Sequence, residues 1–92
     1  MTNRQILLHG LPRAGLDRFL PADGAFYLYA DVSRFSDDSL DFTRRMLEQA
    51  GVAATPGVDF DPFKGRRFVR FCYAGSSADM RAAVARIGEW LG

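Results

Sequence analysis

The clearest pattern in the chain is an alternation of apolar and polar positions in residues 64–76, a segment punctuated by Gly65 and Gly75. A period of two residues predicts a β-strand, because successive side chains of a strand point to opposite faces of the sheet. The predicted apolar face holds Val69, Phe71 and Tyr73, and the opposite face holds Phe68, Arg70 and Cys72. Arg70 therefore projects from the middle of an otherwise apolar strand.

A second strand is predicted for residues 25–32, which are apolar on nearly both faces. Such a strand is typical of the interior of a sheet, so we expect it to be central. Residues 16–20 predict a brief edge strand, and residues 52–55 predict another short strand. The segment Pro21-Ala22-Asp23-Gly24 has the composition of a turn.

Three helices are predicted from capping residues and from apolar positions at helical spacing. The expected N-caps are Thr2 or Asn3 for the first helix, Ser36, Asp37 or Asp38 for the second, and Ser76 or Ser77 for the third. Pro12 to Gly15 should end the first helix and Gly51 the second. The apolar stripes comprise Leu7, Leu8 and Leu11; then Leu40, Thr43, Leu47 and Ala50; and finally Met80, Val84, Ile87 and Leu91.

The predicted order of elements is α-β-α-β-β-α, which favours an α+β fold. We expect a small, mostly antiparallel sheet with the helices packed on one face. The chain has 92 residues, enough for one hydrophobic core, so residues 1–92 are predicted to form a single domain.

The composition of the chain excludes several kinds of partner and site. The net charge of +1 gives no electrostatic footprint for nucleic acid or an anionic membrane, so neither is expected as a partner. No apolar run approaches the roughly 18 residues of a membrane-spanning helix. A single cysteine, Cys72, excludes an internal disulfide and suits a reducing compartment, so a cytoplasmic location is expected. We expect Cys72 to be buried, and a lone His9 gives no metal site.

Candidate chemistry centres on Arg70. An arginine within an apolar strand indicates either a solvated sheet face or a guanidinium held in place to meet an anion. The sequence lacks a glycine-rich phosphate loop, and no histidine is placed to activate a serine. Lys64 is the only lysine and is predicted to lie on a loop tip, where nothing activates it as a nucleophile.

Residues 64–71 resemble the longer sheet signature of an RNA-recognition module. Two positions differ: Arg66 stands where an aromatic residue would stack on a base, and Arg67 stands where a small residue belongs. An RNA-recognition-like or small-ligand-binding interaction module is therefore the alternative interpretation.

Four segments of the chain, in order, resemble the small domain of class I/II, fold-type I aminotransferases, the aspartate-aminotransferase-like enzymes. They are Asn3-Arg4 with the leucines that follow, the strand after Pro21 that contains Gly24-Ala25-Phe26-Tyr27, the run from Leu47 through Gly51 to Pro56-Gly57 and Phe60, and Arg70-Phe71-Cys72-Tyr73-Ala74. Together they cover nearly the whole chain.

The resemblance implies that residues 1–92 form the C-terminal small domain of a pyridoxal-phosphate-dependent enzyme and that Arg70 binds the substrate α-carboxylate. The implied partners are the large domain of the same enzyme, which precedes this region, an amino acid or keto acid, and a second subunit in a homodimer. The cofactor lysine belongs to that large domain, and Lys64 is not its counterpart. We therefore expect the isolated chain to be inactive and not to bind the cofactor.

The same resemblance predicts an apolar surface where the large domain would pack. We expect it to include Trp90, Tyr27, Tyr29, Phe63 and the leucines of the first helix.

Overall fold

A computed structural model describes residues 2–20, 27–59 and 61–92. The described elements are α1 (Asn3–Ala14), β1 (Phe19–Leu20), β2 (Tyr27–Asp31), α2 (Ser39–Arg45, continuing as a π-helical segment, Met46–Ala50), β3 (Thr55–Pro56), β4 (Phe68–Cys72) and α3 (Ser77–Leu91). The predicted α+β class is confirmed, and the brief strand expected within residues 16–20 is β1. The predicted turn at Pro21–Gly24 lies outside the described residues.

The four described strands form one sheet in the order β1-β2-β4-β3, with antiparallel neighbours throughout. β2 and β4 pair along their full length, from Tyr27 opposite Cys72 to Asp31 opposite Phe68. The prediction that residues 25–32 contribute a central strand is confirmed for the part that is described.

The sheet separates a buried face from a more exposed one. Its buried face meets all three helices, and the shared core includes Leu7 and Leu11 of α1, Leu28 and Ala30 of β2, Phe42 and Met46 of α2, Val69 and Phe71 of β4, and Ile87 of α3. Alternate residues of β2 and β4, from Tyr27 to Asp31 and from Phe68 to Cys72, are half-buried or exposed. The helices therefore pack on one face, as predicted.

Helix ends follow the predicted capping chemistry. Thr2 caps α1, and its hydroxyl accepts from the Gln5 backbone N–H while the Gln5 side chain accepts from Thr2. Asp38 caps α2 and Ser76 caps α3. α1 continues two residues beyond Pro12 and ends at Gly15, whose φ of 112° is open to glycine and disfavoured for other residues.

The buried face of α2 includes Thr43 of the predicted stripe but not its two leucines. Leu40 and Leu47 are exposed, whereas Phe42 and Met46 are fully buried. Both sets recur at helical spacing, so periodicity alone does not choose between them. The larger Phe42 ring packs against Trp90 of α3, with ring centroids 5.1 Å apart, and this contact favours burial of the Phe42 side of α2.

Two glycines allow the backbone to cross itself beside β4. Gly57 and Gly65 are both buried, and a Cβ built on either one would overlap backbone atoms of the other. The Ser39 hydroxyl donates to the Gly65 carbonyl at 2.7 Å and ties the crossing to the start of α2. Gly57 and Gly65 thus bring two parts of the chain together shortly before β4 begins at Phe68.

Two of the residues that were expected on the apolar docking surface, Leu7 and Leu11, lie in the core. Trp90 packs on Phe42 and donates from Nε1 to Gln49 Oε1 at 2.6 Å. Phe63 is 90% exposed, as expected of that surface. Within the described ranges, no helix has both the length and the apolar character required to cross a bilayer.

Cys72 is exposed, which corrects the prediction of a buried thiol. The period of β4 places Cys72 with Phe68 and Arg70, on the face that points away from the helices. Its neighbours Val69 and Phe71 are the residues that β4 contributes to the core.

Candidate functional site

Arg70 lies at the centre of the sheet face that points away from the helices. It is directly opposite Tyr29 of β2 and Thr55 of β3, so a strand flanks it on each side. Arg70 is half-buried, and its Nε atom is fully buried. The structure therefore holds the guanidinium in the middle of the sheet, away from its edges.

The ring of Tyr27 supports the guanidinium. The Cζ atom of Arg70 lies 4.2 Å from the centroid of that ring, a distance typical of a cation–π contact. Tyr27 pairs with Cys72, two residues from Arg70, so the contact runs diagonally across the β2–β4 register. Stacking restricts rotation of the planar group and favours one orientation. The sequence identified Tyr27 as a surface residue but did not indicate this contact.

Asp31 supplies a fixed negative charge on the same face. Its carboxylate accepts a hydrogen bond from the Ser33 backbone N–H at 2.8 Å and lies 3.7 Å from Arg67 Nη2. Burial by itself would raise the pKa of Asp31. Hydrogen bonds from Ser33 and the charges of Arg67 and Arg18 outweigh that effect and lower the pKa from its ordinary value. Asp31 thus stays ionised and anchors the segment that leads into β4.

We expect Asp31→Asn to lower the free energy of unfolding by about 0.5 kcal/mol near neutral pH, because the exposed Arg67 partner is screened by water. A carboxyl whose pKa is lower in the folded chain stabilises it above the unfolded-state pKa, and that stabilisation is lost as pH falls through the folded-state pKa. Urea unfolding should be measured from about pH 5 down to about pH 2. The difference in the free energy of unfolding between Asp31→Asn and wild type should become smaller over this range.

Asp37→Asn is the matched control, because the Asp37 side chain is 92% exposed and 4.0 Å from Arg66. It should change stability little at any pH. An Asp31→Asn difference that stayed constant across the acid range would show that charge is not its cause.

Lys64 does not form a site for an aldehyde cofactor. The residue is exposed and its backbone N–H donates to Asp61 Oδ1 at 3.0 Å within a turn. It is the only lysine in the sequence, and activation of a lysine amine needs a desolvated pocket or a neighbouring cation that lowers its pKa. The described residues therefore do not fit pyridoxal phosphate.

Comparison with known proteins identifies the family. Residues 1–87 match the family described as aminotransferase class I and II. The valine–pyruvate aminotransferase of Mycobacterium tuberculosis is 55% identical over 89 residues, which are 97% of this chain and 23% of that relative.

Solved structures of similar proteins belong to the same family. The crystal structure of an aminotransferase from Mycobacterium tuberculosis superposes with a TM-score of 0.92 at 55% identity, over 97% of this chain and 23% of that one. The aspartate aminotransferase of Thermus thermophilus, solved with maleate, gives a TM-score of 0.79 at 40% identity, over 95% of this chain and 22% of that one. This chain belongs to the class I and II aminotransferases, and it spans less than a quarter of the length of these relatives.

The alternative of an RNA-recognition module is not supported. Arg66 and Arg67, the positions at which its signature failed, lie in the short 3₁₀ turn Gly65–Arg67 and not in β4. Side chains outside the strand cannot form the base-stacking platform that the signature describes.

Proposed function

We propose that this chain is the C-terminal small domain of a pyridoxal-phosphate-dependent aminotransferase and that Arg70 binds the α-carboxylate of its amino acid or keto acid substrate. The observation that carries the proposal is the position of Arg70, half-buried at the centre of the outer sheet face and stacked on Tyr27. Membership of the family supports the reaction class.

A guanidinium suits this task because its planar fork donates two parallel N–H bonds to a carboxylate. Its position in a partly buried sheet strengthens such a pair relative to one on an open surface, where water screens the charges. The Tyr27 ring would preserve the orientation of the fork when no substrate is present. Maleate, present in the structure of the Thermus thermophilus relative, is itself a dicarboxylate, which supports carboxylate recognition in this family.

The remaining parts of the active site would come from a large domain that precedes this region and faces the Arg70 side of the sheet. That domain would supply the cofactor lysine, and its closure onto the small domain would exclude water from the substrate. We further propose that the complete enzyme is a cytoplasmic homodimer. On this proposal the chain is inactive alone, because it contributes only one part of a substrate site.

A chimera provides the test. This chain replaces the 89-residue region of the Mycobacterium tuberculosis valine–pyruvate aminotransferase to which it is 55% identical. We expect the chimera to bind pyridoxal phosphate and to transfer amino groups, because the relative supplies the large domain. The isolated chain should do neither, as measured by cofactor absorbance, by borohydride capture of the aldehyde and by product formation.

Stoichiometric borohydride capture on Lys64 of the isolated chain, or turnover by that chain, would contradict the proposal. A chimera that folds and binds the cofactor yet transfers no amino group would contradict it as well. Circular dichroism of the chimera separates that result from failure to fold.

A further inference from the structure

Asn3 bonds to three residues that follow it in the sequence by 70 to 74 positions. Its Nδ2 donates to the carbonyl of Tyr73 at 2.9 Å and also to the carbonyl of Gly75. Its Oδ1 accepts from the Ser77 hydroxyl at 2.8 Å. Asn3 is the first residue of α1, Tyr73 directly follows β4, and Ser77 is the first residue of α3. One amide side chain thus links the start of α1 to the segment between β4 and α3.

The chemistry of the three partners requires an amide at this position. Two of them are backbone carbonyls, which only accept, so the side chain must provide two N–H donors. The third is a hydroxyl, which can donate to the amide oxygen. An aspartate would offer no donor to the carbonyls, and a serine is too short and has a single O–H. Asparagine meets the whole set at a half-buried site.

The bonds lie close to Arg70 in the sequence. Tyr73 directly follows β4, three residues after Arg70, and Gly75 follows two residues later. Hydrogen bonds from a side chain to backbone carbonyls help to fix the path of the chain. Asn3 therefore holds the segment that connects the arginine strand to α3.

We propose that Asn3 is a positioning residue for Arg70. This inference rests on the proposed function, in which the large domain precedes α1 and substrate binding draws the two domains together. Asn3 then ties the point at which the polypeptide enters this domain to the end of the arginine strand. Movement of the entering chain carries β4 with it, and the guanidinium keeps its orientation toward the carboxylate.

The three hydrogen bonds of Asn3 are called the clamp below. The first test measures amide hydrogen exchange in the full 92-residue chain, to find out whether the clamp stabilises the start of α3. Asn3→Asp, which removes the two donors and keeps the acceptor, should speed exchange about tenfold relative to wild type at the Asp79 and Met80 amides, which are bonded to Ser76. Gln5→Ala is the matched control, because Gln5 completes the capping box of the same helix turn and its side chain bonds to Thr2. Equal exchange at the Asp79 and Met80 amides in the two variants would overturn the clamp.

The second test measures catalysis in the chimera described above. Asn3→Asp should raise KM for the amino acid substrate about three- to tenfold and change kcat less than about twofold, because Arg70 is displaced while the reacting groups are untouched. The KM for an amine without the α-carboxylate should stay unchanged. Gln5→Ala should leave both values near those of the unmodified chimera.

The outcomes of the two tests separate failure of the Asn3 proposal from failure of the proposed function. Faster exchange without the selective rise in KM would reduce Asn3 to a structural role and overturn the proposal. If Arg70→Lys also loses no selectivity for carboxylate substrates, the proposed function has failed, whatever the exchange data show. If Arg70→Lys is selective and Asn3→Asp is not, only the positioning role of Asn3 has failed.

Discussion

Replacing Arg70 with lysine in the chimera should lower kcat/KM for amino acids by about ten- to a few-hundred-fold. Lysine keeps the positive charge but loses the two parallel N–H donors, and a charge-assisted contact of this kind contributes about 1.5 to 3 kcal/mol. The stacking contact with Tyr27 should weaken as well, since a lysine ammonium lacks the planar group. Steady-state kinetics with an amino acid and its α-carboxylate-free amine measures the effect.

The amine should be converted at nearly the unmodified rate, because it has no carboxylate for Arg70 to bind. Arg66→Lys is the control of equal charge, since Arg66 is exposed and lies outside β4. The melting temperature of Arg70→Lys should change little, because Val69 and Phe71, which hold β4 in the core, are untouched. An equal loss for amine and amino acid would show that Arg70 is structural or merely solvated.

Replacing Gly65 with alanine should destabilise the fold by about 3 kcal/mol, because the added methyl group meets backbone atoms that cannot rotate away. The built Cβ overlaps the carbonyl of Gly57 and the amide nitrogen of Val58. For a chain of this size the melting temperature should fall by about 12 to 24 °C. Thermal unfolding followed by circular dichroism provides the measurement.

Gly88→Ala is the matched control, with the same methyl group added inside α3. Its Cβ would lie 3.7 Å from the Cβ of Ala14, an ordinary contact. Alanine is the better helix former by about 1 kcal/mol, so this variant should be slightly more stable than wild type. Similar destabilisation by both variants would argue against a special role for the crossing of Gly57 and Gly65.

Local chemistry determined what could be predicted of the fold. Helix caps depend on neighbours in sequence, and Ser76 and Gly51 were correctly placed for that reason. The prediction that Leu40 and Leu47 face the core was wrong. The buried side of α2 includes the contact of Phe42 with Trp90, which joins residues far apart in sequence. The crossing of Gly57 and Gly65 likewise has no local signature, because a glycine pattern does not say which backbone lies beside it.

In the candidate site, too, local features could be predicted from the sequence and long-range contacts could not. The period of β4 predicted the face on which Arg70 lies, and the structure confirms that position. The Tyr27 contact depends on the register between β2 and β4. The three bonds of Asn3 join residues that are 70 to 74 positions apart, and local sequence patterns do not relate such residues. The role of Arg70 in binding carboxylate stays a prediction until the kinetic test.

The packing of Trp90 gives the protein a built-in optical reporter. Trp90 is the only tryptophan in the sequence, and it lies among the helices against Phe42 and Gln49, whereas Arg70 is on the opposite side of the sheet. Its emission in the isolated chain should follow loosening of the helix layer and be insensitive to an anion at Arg70. Fluorescence can therefore separate variants that damage the scaffold from variants that alter recognition, with no external label.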